Sequence, residues 1–519
     1  MWHKPRSIRH VLASAIGVIL AFCLLRTYLH LTPVPDPVVT PGSVDRYLSA
    51  VKALAAKPDF ERLTVPGFHN DGVPRSTAGC DERRHTATLG VLPSLSLQDN
   101  LTQAVESLTG YPQLDIALKI QGLPLEDFVA KNWAEMPGSG VWLSEYEVYF
   151  VVTRVVYYPS GTLAEPTISF LRGRVFDALW NHLDNYTLDW DEEPITFPRM
   201  LEIPVIWNEG GAFIGPEDPR VIIEDGVPGA EPVIIFNMLS EKVDARRAMW
   251  VHRPFTNITN PLIIRGEVQR PEEKNWAPFF HSESSLYRQP SRHLNFVYSL
   301  QPLQILRCHI RHGLCDWTFK QALPAGMIHD HPEVRGEMRG GTNFIQVHES
   351  DPDISLWVGF SRTHLEGICG GGGGGNSSNS DPSGSIYRPE LVILANSGSE
   401  FHIVYASEAL DFGTAVLDQA AREAPCTESR ILMPNGIVRW DQDRRDLLQL
   451  ALSMNDHSTQ VLALRGVSQL VQSQPYLMEW RRAISPDGEP WGQRWSAVGA
   501  DVVGCTVVAA RNASEQYGS

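Results

Sequence analysis

Glu217 and Asp218 stand between Pro216 and Pro219, followed by Arg220 and the apolar run Val221-Ile222-Ile223. Each proline fixes its own φ and drives the residue before it toward an extended backbone. The two acids are therefore expected on a stiff turn at the mouth of a strand, with Arg220 just beyond Asp218. A rigid carboxylate beside a fixed cation suits proton transfer next to a phosphate. The bland alternative is a surface turn decorated with charge. Lys274-Asn275-Trp276, with His281 a little further on, forms a second group. Lys274 offers phosphate oxygens a point charge where Arg220 offers a planar fork. His281 is a candidate third donor. Arg154 is a candidate cation on an inner strand, within the aromatic stretch Tyr149 to Tyr158. Trp276 either stacks on a sugar face or fills a core.

Those side chains need a scaffold, and from about Val141 the sequence supplies one. Short runs rich in Val, Ile, Phe, Tyr and Trp recur between Gly, Pro, Asn and Asp; Val148 to Tyr158, Val233 to Met238, Leu356 to Phe360 and Val461 to Leu464 are examples. Many short strands without long intervening helices predict an all-β fold, and their number favours a propeller over a single sandwich. Val44 to Ala56 and Leu95 to Leu108 have helical spacing. Gly370 to Gly375 lacks the following helix and Lys-Ser/Thr of a phosphate-cradling loop, and is read as a surface insertion.

The net charge of −16 argues against a nucleic-acid partner, whose phosphates demand a basic surface. It leaves room for local basic pockets. Lys4, Arg6 and Arg9 precede the apolar run Val11 to Leu25, and Arg26 follows. That run is shorter than the roughly 20 residues of a spanning helix, but a snorkelling Arg26 extends it to Leu31. A signal anchor with a lumenal body is expected, with a cleaved signal peptide as the rival. Its short span fits an early secretory membrane. Sequons at Asn100, Asn185, Asn257, Asn376 and Asn512 agree with lumenal exposure. Cys23 lies in the apolar run, and six further cysteines allow up to three disulfides. Cys308 and Cys315 bracket His309-Ile310-Arg311-His312, so a bridged hairpin is expected, with a zinc site as the alternative.

Six segments together resemble the fungal β-mannosyltransferase family (glycosyltransferase family 91) and, more distantly, the five-bladed β-mannoside phosphorylases. They are Gly215-Pro216-Glu217-Asp218-Pro219-Arg220, Glu273 to Phe279, Asn295 to Ser299 with Pro302, Arg339-Gly340-Gly341-Thr342-Asn343, Leu356 to Phe360, and Asn455-Asp456-His457-Ser458. The resemblance implies a five-bladed propeller with its active site at the axial mouth. It implies a GDP-mannose donor, a mannan or other mannose-containing glycan acceptor, and a β-linked, 1,2-joined product. Asp218 would be the catalytic acid or base, Lys274 a phosphate ligand, and Asp456 a mannose ligand, with Asn275 and Trp276 beside the sugar. The expected organisation is a tail and anchor at 1–31, a stem at 32–60, a partly helical accessory region at 61–139, a propeller at 140–470 and an extension at 471–519. The expected location is the Golgi membrane in type II orientation.

An α-linked donor and a β-linked product require inversion. Inversion needs a base on the acceptor hydroxyl and positive charge on the departing diphosphate. One carboxylate suffices when phosphate supplies the second charge. No metal or cofactor is expected. Asp189-Trp190-Asp191 has the Asp-x-Asp form of a metal-holding transferase but sits in an acidic loop without α/β alternation. His329-Asp330-His331 precedes Pro332 and is likewise read as a loop. Two other functions fit the same residues: a phosphorylase or mannose-1-phosphate-dependent transferase, and a propeller that binds glycans without turnover.

Overall fold

Strands dominate because β-branched and aromatic runs alternate with turn residues. Val148–Tyr157 and Ile168–Phe176 are buried at every position, Arg154, Arg172 and Arg174 included. Strands covered on both faces carry continuous apolar runs rather than alternation, which is why these segments stood out. The computed structural model describes residues 60–73, 79–110, 114, 121–161, 166–205, 213–224, 226–240, 246–281, 289–322, 337–348, 354–365, 386–416, 431–443, 445–455, 458–474 and 491–518, all within the unit Lys57–Ser519. The expected anchor, stem and first helix, the glycine run, His329 to His331, Asn376, Cys369, Cys426 and Asp456 lie outside the described residues.

The first sheet orders Trp133–Leu143, Val148–Tyr157, Ile168–Phe176 and Arg199–Met200 side by side. The second runs Glu217–Ile222, Val233–Ser240, Arg246–Arg253 and Ile258–Pro261. The third runs Ala277–Phe279, His293–Leu300, Leu303–His309 and Leu314–Lys320, with Ile263–Ile264 added in parallel at its edge. An 11-stranded sheet holds the rest of the C-terminal half. Its two halves are Glu337–Gly340 through Glu400–Ser407, and Leu432–Asp441 through Ser458–Arg465. The hairpin of Glu61–His69 and Arg84–Val91 joins them, pairing with Glu400–Ser407 on one side and Ser458–Arg465 on the other. Residues long before the main strand region thus complete its largest sheet.

The opening strands of these units touch one another. Val221 N donates to Ser139 Oγ at 3.1 Å, and Arg220 Nε donates to the Gly341 carbonyl. Phe344 N donates to Pro278 O at 2.9 Å. Asn343 both donates to Ile437 O (3.1 Å) and accepts from Ile437 N (2.8 Å). Side-chain clusters fill the spaces between sheets, with Phe150, Phe236 and Trp250 between the first and second, and Ile235, Trp276, Phe296 and Leu306 between the second and third.

The segment Leu95 to Leu108, expected as one helix, is a short strand Leu95–Leu97 followed by the helix Leu101–Glu106. The Asn100 side chain accepts from Gln103 N (3.1 Å) and caps that helix, so the chain must leave its strand first. At the other end, the helix Trp491–Gly518 packs on Glu400–Ser407, and Cys505 on it is bonded to Cys80. No helix among the described residues is long and apolar enough to cross a membrane.

Candidate functional site

The Glu-Asp-Pro-Arg element does not precede its strand as a turn; it is the start of the strand Glu217–Ile222. Its pairing with the neighbouring strand slips between Glu217 and Arg220, which marks a bulge. Asp218 occupies that bulge with φ +53°, left-handed for a non-glycine residue. Such a conformation costs about 1–3 kcal/mol and persists only where the surroundings enforce it. Here Pro219 follows, and Asn237 donates from Nδ2 to Asp218 Oδ2 (3.3 Å) and to Glu217 O (3.3 Å). The bulge turns Asp218 outward: it is exposed, whereas Glu217, Pro219 and Arg220 are buried.

The carboxylate nevertheless sits close to several charged side chains. Burial pushes its pKa up, but the charges of Arg220, Arg362, Arg154 and Lys274 outweigh burial and hold it below the usual carboxylate range. Arg220 is itself buried; desolvation and the neighbouring Arg362 bring it down to about 10, which leaves it cationic at neutral pH. Its guanidinium also donates to Asp218 O (3.1 Å), so it braces the bulge as well as charging the site. Arg154, 6 % exposed, pairs with Glu217 Oε1 at 3.1 Å. Arg247 pairs with the other oxygen of Glu217 and donates to Asn237 Oδ1 at 2.8 Å. Glu217 is pushed up by its burial against the pull of Arg154 and Arg247. The chain Arg154–Glu217–Arg247–Asn237–Asp218 is a continuous brace that ends on the exposed acid.

Lys274 is exposed and pairs with Glu272 at 2.9 Å. Asn275 also takes a left-handed φ of +66°, and its Oδ1 accepts from Arg362 Nη2 at 2.6 Å. Only a glycine fits at 340, because a Cβ there would lie 2.2 Å from the Asn275 carbonyl. The Gly-Gly element is thus a close crossing of two segments that sets Arg362 beside Asn275.

Of the two readings of Trp276, a sugar-stacking face and a core side chain, the structure supports the core and corrects its placement beside the sugar. Trp276 is 2 % exposed, packs on Phe296 and Tyr298, and donates from Nε1 to Glu273 Oε2 at 3.2 Å. A side chain enclosed in the core offers no face to a ligand. His281 is half-buried, edge-on to Trp357 at 5.2 Å between ring centroids. Arg362, Arg247 and Asn237 were missed. Arg362 does carry a signal, the same one that flagged Arg154, a cation in a strand-forming apolar stretch, whereas Arg247 stands at the start of such a stretch beside Arg246 and Asp244.

The decoys resolve simply. Asp189 and Trp190 belong to a two-stranded hairpin whose turn residues Asp191 and Glu192 have φ of +50° and +67°. Among the described residues, no group of three or more His, Cys, Asp or Glu side chains is arranged to hold a metal. Cys308 and Cys315 face each other on paired strands and are bonded, as the hairpin reading expected, and so are not zinc ligands. The sequon residues Asn100, Asn185, Asn257 and Asn512 are exposed.

An exposed carboxylate among cations, on a mostly β frame, can hold an anion beside an acid–base group. Comparison with known proteins makes the class specific. The family model for β-mannosyltransferases matches residues 80–252 and 248–485. The chain belongs to that family and is a glycosyltransferase. It is 29% identical over 496 residues to β-mannosyltransferase 1 of Komagataella phaffii, covering 90% of this chain and 72% of the relative. It is 29% identical over 497 residues to β-mannosyltransferase 4 of the same organism, covering 91% and 90%. With β-mannosyltransferase 3 of Candida albicans it shares 32% identity over 360 residues, 66% of this chain and 60% of that one. Among solved structures, a Trypanosoma rangeli sialidase aligns with 69% of this chain and 49% of its own at 8% identity and a TM-score of 0.34, a superposition that defines neither fold nor activity.

Proposed function

We propose that the chain transfers mannose from GDP-mannose to a mannose-containing glycan with inversion, forming a β-1,2 linkage. The observation that carries this reading is the exposed Asp218 carboxylate among Arg220, Arg362, Arg154 and Lys274. Asp218 takes the proton of the acceptor hydroxyl, directly or through a sugar hydroxyl, as the new bond forms at the anomeric carbon. The diphosphate leaves with the electron pair of the old bond. Arg362 and Lys274 meet its charge, Arg362 as a fork oriented by Asn275.

In the empty site the surrounding cations make Asp218 a weak base. A bound diphosphate offsets those cations and raises its basicity, so the base strengthens only when donor is present. That coupling ties proton transfer to a loaded site. The five sheet units, whose opening strands meet at this point, are read as the blades of a five-bladed propeller with Asp218 at its mouth. The apolar run Val11 to Leu25 is read as a type II anchor that holds the body in the Golgi lumen.

Incubation with GDP-mannose and a short α-mannan, followed by NMR linkage analysis, tests the reading. A β-1,2-linked product that disappears with Asp218→Asn supports it. Absence of transfer, or full activity in Asp218→Asn, would defeat it.

A further inference from the structure

A cavity lies at the opposite ends of the second and third sheets from Asp218 and Lys274. It has a volume of about 350 Å³ and lies between the loop after Glu217–Ile222, the end of Arg246–Arg253, and the loops before His293 and after His309. At about 3.3 Å of rise per residue, the strand that starts at Glu217 separates it from Asp218 by roughly 20 Å. It is therefore a different site from the one described above.

Its wall is basic in an acidic protein. From residue 289 to residue 315 the chain contains Arg292, Arg307, Arg311, His293, His309 and His312 and no aspartate or glutamate. Arg292, Arg311, His309 and His312 line the cavity, and so does Arg253. The two carboxylates that share the lining are both consumed by their own walls. Glu224 accepts from Ser291 N (2.7 Å) and Ser291 Oγ (2.8 Å). Glu231 accepts from Phe255 N, Thr256 N and Thr256 Oγ1 and pairs with Arg253. Among the described residues, neither Arg292 nor Arg311 forms an ion pair, and both are exposed. Burial lowers His309, and the nearby His312, Arg292 and Arg311 lower it further.

The loop that presents His309, Arg311 and His312 is closed at both ends. The Cys308–Cys315 bond closes it, Gly313 N donates to His309 O (2.8 Å), and Asn260 Nδ2 donates to Arg311 O (2.9 Å). Gly313 has φ +69°, and a Cβ there would lie 2.0 Å from the Pro261 carbonyl. His309 and His312 stack with centroids 4.4 Å apart, so they present parallel edges rather than converging on a metal. Guanidinium forks and imidazole N–H groups on a closed loop match phosphate oxygens. A cavity of this size suits a phosphate carried on a sugar-sized group.

We propose that this cleft binds a phosphate ester, held by Arg292, Arg311, His309 and His312, at a distance from the transfer centre. The phosphate could sit on a soluble sugar or on a glycan, and two probes separate these: mannose 6-phosphate as the monoester and methyl mannosyl phosphate as the diester. Calorimetric titration of the full chain should show both binding at least tenfold more tightly than neutral mannose. A monoester that binds while the diester does not assigns the cleft to soluble sugar phosphates; binding of both extends it to glycan-borne esters. The double variant Arg292→Glu/Arg311→Glu should lose that binding at least tenfold, with unchanged turnover of GDP-mannose on a neutral acceptor and unchanged melting temperature. His309→Gln, which keeps the loop backbone, should weaken binding less. Binding no tighter than mannose, or binding undiminished in the double variant, overturns the proposal. The turnover readout is separate, so its failure would strike the transferase reading and not this one.

Discussion

Two arginine–carboxylate clusters among the described residues differ in balance and exposure: one in the first sheet and one around Asp218. In the first sheet, Arg172 Nε meets Asp99 Oδ2 at 2.8 Å and Arg174 Nη2 meets Glu135 Oε1 at 2.5 Å, with Asp99 also 3.5 Å from Arg174 Nε. Two cations face two carboxylates, and the arginine side chains are at most 1 % exposed. Around Asp218, five cations (Arg154, Arg220, Arg247, Arg362 and Lys274) face three carboxylates (Glu217, Asp218 and Glu272). One of those acids is exposed and held in a left-handed conformation. A balanced, enclosed network locks the start of the helix Leu101–Glu106 to the sheet, for Arg172 Nη2 also donates to Gln103 Oε1 at 3.0 Å. On the reading proposed here, the unbalanced one with an open acid attracts an anion and takes a proton. Excess charge and exposure separate function from architecture, although the residue types are the same.

The sharpest way to break this contrast is to remove one acid from each cluster. Asp218→Asn should lower kcat by about 10³-fold, within the range for loss of a general base, and leave the melting temperature near wild type. Asp99→Ala should do the reverse. It leaves the buried Arg172 without its carboxylate and Arg174 with Glu135 alone, and should cost about 3–5 kcal/mol in chemical denaturation, with near-normal kcat in the fraction that remains folded. If Asp99→Ala abolished turnover without loss of stability, the division would be misdrawn.

Smaller changes sharpen it. Arg362→Gln keeps a donor for Asn275 but removes charge, and should reduce kcat/KM for GDP-mannose by about 10–100-fold, a loss of about 1.5–3 kcal/mol for a charge-assisted contact. Asn237→Ala removes the hydrogen bond to Asp218 Oδ2. It should slow turnover by about tenfold and shift the acidic limb of the pH profile, a shift that a purely structural role would not produce. The pH profile itself gives the least effect. Asp218 must be ionised to act, and its pKa is held below the usual range by the surrounding cations once their charge overcomes its burial. The limb of kcat/KM governed by Asp218 should therefore fall only below the ordinary carboxylate range. In kcat, measured with donor bound, the limb should move to higher pH as the diphosphate cancels the cations. Coincident limbs in the two profiles would remove the proposed coupling.

Local sequence determined a good deal here. Prolines on either side of Glu217 and Asp218 act within a residue or two of themselves, yet the extended backbone expected before Pro219 is overridden at Asp218, whose φ is +53° in the bulge. Continuous apolar runs announced strands buried on both faces, and the short Cys308–Cys315 spacing announced its own bridge. What escaped reading depends on distance along the chain. The bulge that turns Asp218 outward is a mismatch against a second strand; the positions of Arg362 and Asn237 beside it are set by sheet register; Trp276 is enclosed because the second and third sheets close over it. The Cys80–Cys505 pairing and the joining of the two halves of the large sheet by the Glu61–Val91 hairpin are of the same kind. Burial pattern is a property of neighbours in sequence and is written there. Electrostatic surroundings are a sum over neighbours in space, and only the tertiary structure decides who those are.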